Sequence, residues 1–539
     1  MHLIDISQFA GNRFTEILWR FPCPQKILMV TDGSLGFGTG GFGLSEFVSL
    51  VQGGGHAVST AHRNGDINAT ISGNFKFDTA APALTTANYD QIWLFGFNAT
   101  ALTAPEQATV AQFMQSGGGV FATGDHASLG AGMGANLPRI RSMRNWKAEG
   151  SGGIPMATPF RHDTVLDPGA DNVKQFEDQS NAIPQRIFPV FFSNGGDQFV
   201  ASTWSVHPVL RHPSGAVDFL PDHPHESECL APAPVAGNFA GVVEWPAPIG
   251  GGALLAPEVV AVSVSAGRFI VSGAPTPTGT KPPVKPRCFG AISAYDGDAA
   301  NAGRIVCDAT WHHFININLN GSGAGLDPTT SLPRAGLYIG GVATPEYLKI
   351  QRYYLNTVRW LAPRNRRTCW PFLQLATVRF DFEIAELRLP DPHPCPWDPL
   401  LRIGRVAEDA VTRHWGFGAM EEIIDAILTT TDSSPALAHL LKTQQPTAAD
   451  EKGTQHEPTL LPLQNMRRAI LGSVVNQLAH HLPEDEEKLT DMLQERQGEL
   501  AGKLLMEGIH NAEQAMGDYL QQALKHTTAI AKTLHAGKK

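Results

Sequence analysis

Between Lys26 and His126 the chain repeats one pattern: a short apolar run, a turn-forming loop, then a segment with helical spacing. Lys26–Asp32 (KILMVTD) is apolar on both alternating faces and runs into glycine, which predicts a strand buried on both sides. Phe42–Gln52 carries Leu44, Phe47, Val48 and Val51 at helical spacing. His56–His62 and Gln91–Phe97 (QIWLFGF) then read as further strands. Pro105 opens a helix with Val110, Phe113 and Met114 on one side, and Gly118–Thr123 (GGVFAT) is a fourth strand. Parallel strands need crossovers and helices supply them, so this rhythm predicts an α/β fold around a parallel sheet.

From about Gly130 to Arg287 the pattern dissolves into Pro-, Gly- and His-rich chain, with strands expected at Val259–Val264 and Arg268–Val271. This span, 130–287, reads as a long insertion capping the carboxyl edge of the sheet. Alternation resumes with strands at Cys288–Ala294 and Arg304–Thr310 (RIVCDAT). A helix follows over Pro345–Leu361, stopped by Pro363. The expected architecture is a flavodoxin-like, doubly wound parallel sheet over 1–365. A connector over 366–399 holds a strand-like stretch (Leu373–Phe382) and a proline cluster. A mainly α-helical C-terminal domain then spans 400–539, with helices at Leu400–His414, Met420–Leu428, Met466–His481 and Pro483 to about Leu534, and a polar linker at Thr443–Pro458.

The 539 residues include 41 Lys+Arg against 51 Asp+Glu, a net charge of −10, which argues against dedicated nucleic-acid binding. The N-terminus has no basic region leading into an apolar one, and no uninterrupted apolar stretch approaches the roughly 18 residues of a membrane span. Six scattered cysteines without a C-x-x-C pair give no basis for a disulfide scaffold or a four-cysteine zinc site. Together these features predict a cytoplasmic protein without membrane attachment.

Chemistry concentrates at strand ends. The fourth strand stops at Asp125 and His126, and the later strand runs into His312 and His313. In a doubly wound sheet both turns open onto the crevice at the strand carboxyl ends, so the four side chains are candidates for acid–base catalysis or ion binding. The insertion adds DHPHESE at 222–228, with His223, His225 and Glu226 as candidate ligands alongside Asp125 and His126 for a divalent metal ion, although the spacing matches no standard zinc signature and a solvated acidic loop is the plainer reading. After the first strand, DGSLGFGTGGFG places Gly36, Gly38 and Gly41 in a G-x-G-x-x-G pattern that can cradle phosphate, with Asp32 at the strand end. His62 and Arg63 stand where a nicotinamide site would carry an acidic residue. Arg139, Arg141 and Arg144 read most simply as a solvated basic cluster, and the leucine-rich stripe of the last helix as packing or as a surface for a protein partner or self-association through 400–539.

The segments KILMVTDG (26–33), YDQIWLFGF (89–97), GGGVFATGDH (117–126) and GRIVCDATWHHF (303–314) resemble the class I glutamine amidotransferase-like superfamily, most of all its ThuA-like branch. The resemblance covers about 26–126 and 288–362. It implies a strand–elbow–helix turn at the fourth segment, which holds a cysteine or, in the ThuA-like branch, a histidine, and a catalytic histidine after the later strand, at 312–313. This chain has Gly124 at the elbow, which removes thioester chemistry there. The expectation is therefore a hydrolase of a small polar substrate that uses Asp125, His126 and a histidine from 312–313. A catalytically silent binding module and a nucleotide or sugar-phosphate binder through the 36–43 loop remain as alternatives, with Asp32, Gly36, Gly38, Gly41 and Gly124 as candidate ligand-binding residues.

Overall fold

The computed structural model describes residues 23–125, 128–146, 184–193, 204–212, 215–224, 227–249, 251–265, 287–323, 335–367, 369–415, 419–430, 462–483 and 485–536. The described residues divide into two compact units. One takes in 24–191 and 216–364, the other Cys23, 192–215 and 365–536. No helix among the described residues is long and apolar enough to cross a membrane.

The first unit is built on an eight-stranded sheet. Its members in chain order are β1 (Lys26–Thr31), β2 (Ala57–His62), β3 (Gln91–Phe95), β4 (Gly119–Thr123), β5 (Phe188–Pro189), β6 (Glu258–Ser265), β7 (Arg287–Tyr295) and β8 (Ile305–Asp308). They lie side by side as β2-β1-β3-β4-β8-β7-β6-β5. The first five are parallel, with Lys26 opposite Ala57 and Asp308 opposite Thr123. The last three join antiparallel, so the expectation of a wholly parallel sheet is corrected at this side. The insertion is also more than a cap, because it contributes β5 and β6 to the main sheet. The strand expected at Arg268–Val271 lies outside the described residues.

Both sheet faces are covered, which is why the strands read as unbroken apolar runs. Ile92, Leu94, Val120 and Ala122 pack on one side with Phe113 and Met114. Trp93, Phe95 and Phe121 turn to the other side, where Trp93 stacks on Phe121 at 4.5 Å and Phe47, Phe314 and Tyr354 complete an aromatic layer. The crossover helices are α1 (Ser45–Gly53), between β1 and β2, and α2 (Ala104–Gln115), between β3 and β4; α3 (Pro345–Trp360) follows the last strand of the sheet. In α2, Thr103 and Glu106 form a reciprocal capping box, and in α3 the Thr344 side chain accepts from the Tyr347 N–H.

In the second unit the described elements from 369 onward are helices: α4 (Cys369–Val378), α5 (Trp397–Trp415), α6 (Ala419–Thr430), α7 (Leu463–His481) and α8 (Glu486–Ala536), with a single helical turn at Phe382–Ala385 between α4 and α5. The strand expected at Leu373–Phe382 is thus a correction. Residues 371–378 are buried all round, and a short apolar run of this kind has no periodicity to separate a buried strand from a buried helix. The polar linker expected at Thr443–Pro458 lies outside the described residues. A disulfide joins Cys23 to Cys369, a cross-link for which the cysteine spacing gave no basis.

Helices α5 and α7 meet backbone to backbone at Gly404 and Gly472. A Cβ on Gly472 would lie 2.1 Å from the Leu400 carbonyl oxygen. Gly472→Ala is therefore expected to destabilise the protein by about 1–3 kcal/mol in urea unfolding, although helix propensity alone predicts a gain. At the sheet, the Gln25 N–H donates to His56 Nδ1, and burial pushes this imidazole down to about 4. The unfolded chain binds the proton first as pH falls, so this contribution is complete above about pH 6.5 and lost toward pH 4, by roughly 2 kcal/mol at pH 5. Urea midpoints at pH 7.5 and 5 should diverge in the native protein and converge in His56→Gln.

Candidate functional site

The site is built where β4 and β8 end side by side. Beyond Thr123 the Gly124 carbonyl accepts the Trp311 N–H at 2.9 Å, so the two turns continue the pairing of the strands. Asp125 Oδ1 accepts the Thr310 hydroxyl at 2.7 Å, and Thr310 Oγ1 in turn accepts the His312 N–H at 3.0 Å, capping the short 3-10 turn Trp311–His313. That turn leaves Asp125 Oδ2 3.7 Å from His312 Nε2. Asn318 anchors the same histidine from outside by donating to its carbonyl at 2.8 Å. The side chain of His312 is 20% exposed, whereas Asp125 is 1% exposed and stands behind it.

His313 has a different environment. It is fully buried, and its Nδ1 meets Asp308 Oδ1 at 2.6 Å. Asp308 also accepts the Thr310 N–H at 3.1 Å and the Tyr353 hydroxyl at 2.6 Å, and the Tyr354 hydroxyl donates to the His313 carbonyl. This ring holds the turn from within, so of the two histidines expected at the site His313 is packed and His312 is the one at the crevice.

A third segment reaches His312. The rings of His223 and His312 lie 4.6 Å apart, with Trp311 stacked on the far side of His312 at 4.4 Å. Asp222 Oδ1 is held by Gln185 Nε2 at 3.1 Å and by the His223 N–H at 3.0 Å, which turns Oδ2 to within 2.6 Å of His223 Nδ1. Ser263 Oγ on β6 donates to the Pro224 carbonyl and fixes this turn to the sheet. His223 adopts φ +50°, a left-handed conformation that costs a non-glycine residue about 1–3 kcal/mol and is concentrated at functional sites. Asp222, His223 and His312 each present one donor atom, all within 4.8 Å of one another. One carboxylate and two imidazoles suit zinc or a similar divalent ion and would leave coordination positions for water.

The solvated loop expected at 222–228 is corrected accordingly, since Asp222, His223 and Glu228 are buried. Of the candidate ligands, His223 is in the cluster and Asp125 lies beside it. His126, His225 and Glu226 lie outside the described residues. Asp222, Thr310 and Asp308 supply more of the geometry than the sequence reading assigned to them.

The basic cluster is also not solvated: Arg139 and Arg144 are fully buried. The Arg144 guanidinium donates to the carbonyls of Asp125 (2.9 Å), Asn145 (2.7 Å), Asp308 (3.1 Å) and Ala309 (2.6 Å). Burial pushes its pKa down, and nearby Cys229, Asp125, Cys307 and Asp308 oppose that shift. Burial pushes the Cys307 thiol up to about 12 and the Cys229 thiol well above its usual value, so neither is poised as a thiolate nucleophile.

The glycine loop is occupied by its own protein. Asn316 Nδ2 donates to the carbonyls of Gly38 and Gly40, Ile317 donates to that of Gly41, and Asn316 Oδ1 accepts the Glu46 N–H in the first turn of α1. The Gly36 N–H donates to the Phe42 carbonyl at 3.4 Å, and Asp66 Oδ2 takes the Phe37 N–H at 2.7 Å. Asp32 Oδ1 accepts the N–H groups of Phe97 and Asn98, tying the ends of β1 and β3; burial raises its carboxyl pKa against those two bonds. Arg63 pairs with Glu106, so it does not stand ready for a 2′-phosphate.

Gly124 has no room for a side chain, because a Cβ there would sit 2.4 Å from the Leu129 carbonyl oxygen and 3.1 Å from Arg144 Nη1. Gly124→Cys is expected to destabilise the fold by about 1–3 kcal/mol without creating a reactive thiol, read by urea unfolding and by alkylation rate. No family model matches this chain, and no curated protein matches it.

Proposed function

We propose that the chain is a metal-assisted hydrolase of a small polar substrate, on an amidotransferase-like scaffold that has dispensed with the cysteine. The reading rests on one observation: Asp222, His223 and His312 converge beside Asp125, where the parallel strands β4 and β8 end. The strand order β2-β1-β3-β4-β8 supports the flavodoxin-like, doubly wound part of the reading, and a crevice at the carboxyl ends of such strands is the usual ligand site. The helices from 369 onward support a C-terminal helical domain.

A divalent ion held by Asp222, His223 and His312 would polarise a substrate carbonyl and make water acidic near neutral pH. The residues of the chain then have distinct tasks. His312 is the partly exposed member, so the substrate approaches from its side. Asp125, fixed by Thr310 through Oδ1, stands 3.7 Å behind His312 Nε2, placed to orient the ring. Gln185 holds the Asp222 carboxylate in place. Trp311, stacked on His312, keeps water from that face of the ring. The nucleotide reading has less support, because the Glu46 N–H in the first turn of α1 and the loop N–H groups of Gly36, Phe37 and Gly43 are already engaged.

Titration calorimetry with Zn²⁺ and with Mn²⁺ on the full chain should show about one saturable site. His223→Ala and His312→Ala should each weaken it at least tenfold, and Asp125→Asn about 10–100-fold. Against a panel of p-nitrophenyl esters, EDTA and His312→Ala should each remove turnover. Absence of saturable binding of either ion sinks the metal assignment, and full turnover by His312→Ala sinks the hydrolase reading.

A further inference from the structure

Away from the crevice, the interior holds a positive charge that the described residues do not balance. Arg139 is 0% exposed. Its Nη1 donates to the Glu244 carbonyl at 2.8 Å and approaches that of Val243 at 3.4 Å. Its Nε and Nη2 meet no acceptor among the described residues. Those two atoms form the side-on edge of the guanidinium fork, the edge that takes both oxygens of a carboxylate or two of a phosphate.

The nearest carboxylate is already engaged. Glu244 Oε1 and Oε2 accept from Arg141 Nε and Nη2 at 2.6 and 2.8 Å, and Oε1 also faces the Arg139 backbone N–H at 3.3 Å. Two guanidinium groups against one carboxylate leave one positive charge, and arginine cannot shed its proton to relieve it. The Arg139 guanidinium lies 5.5 Å from the centre of the Tyr295 ring, and the buried Tyr295 hydroxyl likewise has no partner among the described residues. Three donors in one neighbourhood thus lack acceptors. Arg139 also has φ +64°, so its side chain is delivered from a strained backbone.

We propose that Arg139 and Tyr295 form a binding site for a small oxyanion, a carboxylate or phosphate group. Nε and Nη2 of Arg139 take two of its oxygens, and the Tyr295 hydroxyl donates to it. Trp245 lies 5.4 Å from Tyr295, and Ile140 and Met143 belong to the same buried cluster, so an oxyanion paired with the guanidinium there is little screened by solvent. The site is separate from the hydrolase crevice. Tyr295 pairs with Ile305 at the start of β8, whereas Asp308 ends that strand, about 10 Å further along.

The test uses the full chain and two probes, inorganic phosphate and acetate, each by thermal shift and titration calorimetry against sodium chloride at matched ionic strength. Saturable binding with a rise in melting temperature is expected for at least one probe. Preference for phosphate or for acetate identifies which group the site takes. Arg139→Lys, which keeps the charge but loses the fork, and Tyr295→Phe should each weaken binding about tenfold or more. A native protein that responds to neither probe beyond the chloride control overturns the proposal. So does unchanged affinity in both variants. Should Arg139→Lys fail to fold, Tyr295→Phe alone decides in the same way.

Discussion

One guanidinium holds the ends of two neighbouring strands in register with the segment that follows them. Arg144 donates to carbonyls of Asp125 on one turn, Asp308 and Ala309 on the other, and Asn145 on its own strand of chain. Carbonyls at the end of a parallel strand have no neighbour to donate to them once the pairing stops, and Asp125 and Asp308 are buried. The cation satisfies several at once. Its position then fixes where Asp125 and Thr310 meet, and through Thr310 the orientation of the turn carrying His312. Gly124 must lack a side chain for the same reason, because its Cβ would press on Leu129 and on this guanidinium.

Around that anchor the charges are arranged by depth. Asp308, His313, Tyr353 and Tyr354 form a fully buried network that supports the turn from below. Asp125 is next, and His312 is the member that reaches solvent. Asp222 and His223 arrive from the insertion, held by Gln185 and Ser263. The inserted chain, whose strands also extend the sheet, therefore supplies two of the three donors in the proposed ion site.

Much of the first unit could be read from residues alone, because β1, β3 and β4 are short apolar runs punctuated by glycine and separated by helix-periodic chain. Leu373–Phe382 has the sequence of a strand and lies largely in a helix for a physical reason: burial on every side erases the period by which helix and strand differ. At the site, the polar residues after β4 and β8 were visible as strand-end punctuation. Burial was not. Nothing local in Arg139, Arg141 and Arg144 distinguishes a wet arginine from one that reaches carbonyls 164 or 165 positions away. The same holds for Asp222, whose partners Gln185 and His312 come from other parts of the chain. The glycine loop shows the converse, since its pattern is local but the Asn316 side chain that fills it lies 276 and 278 positions on.

The Cys23–Cys369 bond closes a ring that contains the whole of the α/β sheet, since β1 begins just after one sulfur and α3 ends just before the other. Both cysteines belong to the second unit. In covalent terms the sheet-bearing stretch is a bulge spliced into the helical unit, which owns the stem on both sides. A single break in any loop of that ring would cut the polypeptide without releasing either piece until the sulfurs were reduced.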